Sequence, residues 1–152
     1  MLDVILAPDV YVNASVALGS SPDRVVQRVL GRHKGESKTT RWILDRVKAM
    51  LEALPTFKKE AIEAQIELIR GLVQVVDDLE GHEPADWKTA LVAAAKTAGV
   101  SRVLTDHPDL LGQGTVDGVE FLSTDTWLVE LSIPPPVPPA KAKTKSKFRK
   151  DS

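Results

Sequence analysis

Residues 86–111, DWKTALVAAAKTAGVSRVLTDHPDLL, constrain the fold of this chain more than any other stretch. Leu91, Ala94, Ala95 and Ala98 recur at helical spacing, and Gly99 supplies a glycine-type stop. Val103–Thr105 is then a short strand candidate, and Asp106, His107 and Asp109 follow at once. Helix, tight turn, strand and acidic turn make half of a parallel α/β unit. In such sheets ligands bind beside the loops that leave the carboxyl ends of the strands. Asp86 stands where the helix starts, and Asp106 and Asp109 stand just past the strand it feeds. Helix start and strand exit can share one edge of the sheet, so the three carboxylates are expected to converge there.

The flanking sequence supports the same class. Val4–Leu6 is a strand candidate stopped by Pro8, and the run from Asn13 to Leu18 reads as a helix ending near Gly19. Ser21 is a candidate N-cap, with Pro22 at the first helical position and Asp23 in the first turn. Val25, Val26, Val29 and Leu30 give that helix an apolar face, and the polar GRHKG loop (residues 31–35) follows. Ile43, Val47, Met50, Leu51 and Leu54 form an amphipathic stripe that Pro55 ends. A fourth helix, with Thr56 as its cap, is lined by Ile62, Ile66, Ile69 and Val73, and Gly71 is expected to break it and free Val73–Val76 for a strand. A polar loop (residues 77–85) leads into the central stretch. After it come GQGTVDG turn chemistry, a strand at Val119–Leu122, and a last helical turn capped by Thr124. The expected architecture is α/β: a small, mostly parallel sheet flanked by helices, with the third and fourth helices inserted beside it as a hairpin.

Composition narrows the function classes. The chain has 152 residues and no cysteine, which excludes disulfides and thiol chemistry and fits a cytoplasmic protein. No run approaches the ~18 apolar residues a membrane span needs, and MLDVILAPD lacks a basic n-region, so neither a membrane segment nor a secretory signal is expected. Residues 140–152 carry Lys141, Lys143, Lys145, Lys147, Arg149 and Lys150 against Asp151, a net of +5 in a chain whose overall charge is −1. The organisation expected is therefore a folded unit over residues 1–132 and, over 133–152, a Pro-rich then Lys-rich disordered tail. Only that tail has a general affinity for polyanions such as RNA.

Three segments resemble the PIN domain, a family of metal-dependent ribonucleases that includes many toxins of toxin–antitoxin pairs. Leu6–Ala14 (LAPDVYVNA) is similar to the family's opening strand, typically LDTNVLVSA. Asp86 opening an alanine-rich helix that ends AGV resembles the helix before the penultimate strand. Val103–Leu111 (VLTDHPDLL) resembles the VTGDxDLL segment, and VEFLSTDTWL resembles the closing strand and helix. The resemblance covers about residues 3–131 and implies a cluster of carboxylates holding Mg²⁺ or Mn²⁺, hard cations that take oxygen ligands and activate water. Asp9, Asp86, Asp106 and Asp109 are the candidate catalytic and metal-binding acids, with His107 as an additional ligand. Asp45 or Glu36 are the candidates for an acid on an early helix.

Aligned without a gap, the family's first aspartate falls on Ala7, while Asp9 takes the place of its asparagine, and the key second aspartate falls on His107. Either the acids have migrated, for which a two-residue shift along a strand keeps the same face, or the nuclease site has been lost. Taken singly, the residues have plainer readings. Asp86 is a helix cap, Asp106 and Asp109 are turn formers around Pro108, and Asp9 makes a turn with Pro8. By the same reading His107 is a surface histidine, and Trp42, Trp87 and Trp127 are packing residues rather than base-stacking platforms. The functional expectations are a divalent-metal-dependent ribonuclease acting on RNA phosphodiesters, or a catalytically degenerate module that binds RNA or protein through its basic tail. An antitoxin-like partner or a homodimer is a further expectation.

Overall fold

Strands buried on both faces read as continuous apolar runs, and the two at the heart of this protein do so. In a computed structural model, which describes residues 4–31, 36–76 and 86–132, β1 (Ile5–Leu6) and β4 (Arg102–Leu104) pair in parallel. Their residues Ile5, Leu6, Val103 and Leu104 are all essentially inaccessible to solvent. β6 (Val119–Leu122) lies parallel to β4 on its other side, and β5 (Thr115–Val116) closes the sheet as an antiparallel hairpin with β6, giving the order β1-β4-β6-β5. Asp117 (φ 51°) and Gly118 (φ 81°) form the two-residue turn of that hairpin, where both positions need positive φ. The protein is thus α/β with a small, mostly parallel sheet.

Helices cover this sheet. Pro8 opens α1 (Pro8–Val16), followed by α2 (Ser21–Leu30), capped by Ser20. β2 (Lys38–Thr40) leads straight into α3 (Arg41–Glu52), whose N-cap Thr40 accepts the amide of Ile43. α3 packs against α4 (Lys59–Leu72), and β3 (Gln74–Val76) returns to pair in parallel with β2. α5 (Trp87–Ala98) follows and ends at Gly99, whose left-handed backbone (φ 76°) lets its own amide and that of Val100 close on Lys96 and Ala95. The short α6 (Pro108–Leu111) follows β4, and α7 (Thr124–Ser132) follows β6. Arg102 ties β4 to β6 and α7 through Glu120 (3.2 Å) and Glu130 (2.9 Å).

Several local expectations need correction. The first helix starts at Pro8, not Asn13, because proline at the first turn loses no hydrogen bond and Asp9 favours the positive helix end. The cap of α2 falls on Ser20, one residue before Ser21. Thr56 does not cap the fourth helix, which starts after Lys58 and runs through Gly71 to Leu72. An exposed glycine in a last turn weakens a helix without ending it. Ser123, not Thr124, caps the last helix, its Oγ accepting the amide of Thr126 (3.1 Å). The strand expected at residues 73–76 exists, but in a separate two-stranded sheet with β2, which apolar periodicity does not announce because its pairing residues are Lys38, Thr39 and Thr40. The loops expected at residues 32–35 and 77–85, and the tail 133–152, lie outside the described residues. Among the described residues no helix is long and apolar enough to cross a membrane.

Candidate functional site

The parallel strands β1, β4 and β6 deliver their carboxyl ends to one edge of the sheet, and polar side chains meet there. Asp9 lies one turn past the exit of β1 and is 7% exposed. Its Oδ1 accepts the hydroxyl of Thr105 (2.8 Å) and its Oδ2 accepts the backbone amide of Asp106 (2.9 Å), both residues leaving β4. Burial pushes the carboxyl of Asp9 above its ordinary pKa. The two hydrogen bonds pull the other way, and the nearby charge of Asp106 adds to the rise. Thr105 Oγ1 also accepts the amide of His107 (3.1 Å).

Asp106 reaches toward β6. Its Oδ1 accepts the amide of Thr124 (2.9 Å) and its Oδ2 the hydroxyl of the same residue (2.7 Å), at the point where α7 begins. An anion there is favourable because the first amides of a helix have no partner within it. Asp9, Thr105, Asp106 and Thr124 therefore form one hydrogen-bonded chain across the exits of three adjacent strands.

His107 caps α6. Its Nδ1 accepts the amide of Asp109 (3.2 Å), which in the neutral ring leaves the proton on Nε2. Asp109 is exposed in the first turn of that helix. Asp86 caps α5, its Oδ1 accepting the amide of Thr89 (2.7 Å), and this hydrogen bond lowers its pKa. Trp87, half-buried, stands edge-to-face with Trp42 (6.0 Å between centroids, 86° between planes) and 5.9 Å from the ring of His107 at 51°. The exposed Arg46 places its guanidinium 5.2 Å from the Trp42 ring centre, a cation–π contact.

Of the four candidate acids the structure therefore brings Asp9 and Asp106 together. Asp86 and Asp109 serve separate helix ends. Among the described residues no group of three or more histidine or acidic side chains is placed to hold a metal ion. Asp45 is exposed on α3 and Glu36 is exposed before β2. The six basic tail residues lie outside the described residues. Sequence reasoning missed Thr105 and the bond from Thr124 to Asp106; a threonine ending a buried strand beside an aspartate was the available signal. Compared with known proteins, the chain matches no family model, and no curated protein matches it significantly.

Proposed function

We propose that this chain is a PIN-like domain, with α3 and α4 as its inserted hairpin, that binds RNA without cutting it. The observation that carries this reading is the use made of the strand-exit acids. Both oxygens of Asp9 and both oxygens of Asp106 accept protein hydrogen bonds, so these carboxylates tie strands together where a nuclease needs them turned to a metal. The asparagine-like position of Asp9 in the resemblance fits this role. The six basic residues of 140–152 supply the affinity for phosphates that the acidic remainder lacks.

The test is binding of the full chain to a fluorescent single-stranded RNA across a salt series, with and without Mn²⁺. Binding should fall with a slope of about −4 in log K against log salt if all six cations engage phosphates. Replacing those six residues by glutamine should flatten the slope, and the RNA should stay intact. Mn²⁺-dependent cleavage abolished by Asp86→Asn would overturn this reading in favour of a second one, the metal-dependent ribonuclease. One observation favours that second reading: Asp9 and Asp106 are close enough for the charge of one to raise the pKa of the other, a repulsion a cation would relieve.

A further inference from the structure

A cleft of about 260 Å³ lies apart from the strand exits, between α1 and α2 on one side and α4 on the other. Val26, Leu51 and Phe57 give it an apolar lining, Gln65 borders it on α4, and Leu18, 85% exposed, forms its lip. Asp23 lines the same cleft and is only 8% exposed. Its carboxylate accepts the backbone amide of Gly19 (2.7 Å) and the side-chain amide of Gln27 (3.1 and 3.2 Å). Both donors are neutral, and the neighbouring Arg24 is exposed and forms no ion pair with it. A buried carboxylate without a cation is costly, so the cleft suits a ligand that joins an apolar group to a positive charge.

The chain itself carries such a segment. Residues 140–152 have a net charge of +5 and leave the remainder acidic. Phe148 is the one aromatic residue of that stretch, and Lys147, Arg149 and Lys150 surround it. α7 ends at Ser132 and packs on α2, the helix that carries Asp23. The 16 residues from Ser132 to Phe148 can extend about 50 Å, whereas a domain of this size is roughly 35 Å across, so the segment can reach the cleft. We propose that Phe148 and its basic neighbours dock in cis in this cleft, the ring against Val26, Leu51 and Phe57 and a cation against Asp23. A short tether sets a local concentration of about 1 mM, so a site too weak to capture a free peptide is still occupied. Docking does not depend on RNA binding; where RNA takes the same cations, cleft and RNA compete for the tail.

The chain has no cysteine, so a nitroxide on the Ser152→Cys variant reports the end of the tail alone. In the ¹⁵N-labelled full chain it should broaden the amides of Leu18 and Gln65 and spare Gly118, which lies in the β5–β6 turn at the other edge of the sheet from β1. Phe148→Ser and Asp23→Asn should each remove that broadening, the second while keeping an oxygen for the Gly19 amide. If Asp23→Asn disturbs folding, Phe148→Ser, which alters no residue of α1 to α7, decides. Broadening spread evenly over the surface, or retained in either folded variant, overturns the docking. Broadening of a ¹⁵N-labelled chain by a nitroxide carried on a separate chain mixed with it overturns docking in cis, since the tail then reaches a second copy.

Discussion

Asp9 holds the backbone amide of Asp106 at 2.9 Å across 97 residues of sequence, and through it the exit of β1 is fastened to the exit of β4. Because Asp106 in turn holds Thr124, one buried carboxylate and one half-buried carboxylate organise the edge where a parallel sheet offers its binding surface. Their roles make distinct predictions.

Asp9→Ala should destabilise the fold by about 1–3 kcal/mol, since it leaves the Thr105 hydroxyl and the Asp106 amide without their acceptor. Asp9→Asn should be tolerated, because its amide oxygen can face the Asp106 amide while its NH₂ donates to Thr105. The pH dependence separates the two further. With the folded pKa of Asp9 raised above its unfolded value, its contribution is fully present below the unfolded pKa and is lost as pH rises through the folded one. Asp9→Asn should remove this loss, so its stability relative to wild type should improve from pH 3 to pH 7 in chemical denaturation. An unchanged difference across that range would contradict a raised pKa.

Thr105→Val keeps the shape of a fully buried side chain and deletes one hydroxyl that serves both Asp9 and His107. It should cost about 1–3 kcal/mol and push the Asp9 carboxyl higher still. A double-mutant cycle with Asp9→Ala, which removes the carboxylate altogether, should show a coupling of about 0.5–3 kcal/mol. Additivity of the two changes would mean that the hydroxyl and the carboxylate do not interact.

Asp86 acts as a cap, and its predicted behaviour has the opposite sign. Its pKa is lowered by the Thr89 amide, so its contribution is present above the unfolded pKa and is lost as pH falls through the folded one. Asp86→Ala should lower the melting temperature at neutral pH, whereas Asp86→Ser or Asp86→Asn should restore most of it, as those residues also cap helices. Thermal melts of the three variants check this. Equal melting temperatures for alanine and serine would deny the cap.

Gly99→Ala should cost about 1–2 kcal/mol, because an L-residue is strained at φ 76°. No heavy atom lies within 4 Å of the added Cβ, so the cost is conformational and Gly99→Asn should recover part of it. Urea unfolding of both variants measures the difference; a larger loss with asparagine than with alanine would point to crowding at the site.

The sequence by itself determined the α/β class, the apolar faces of α2, α3 and α4, the stop at Gly99 and the cap at Asp86. Each depends on contacts between residues at most a few positions apart, which periodicity and capping chemistry record directly. Only the tertiary structure decided what the acids do. The partners of Asp9 lie 96 and 97 residues away, and they meet it because β1 and β4 are neighbours in the sheet. In the same way the pairing of β2 with β3, and the bracing of Trp87 by Trp42 and His107, arise from which elements pack together. A carboxylate in a turn looks the same in sequence whether it faces an ion, a helix end or a neighbouring strand, and burial beside specific donors is what separates these fates.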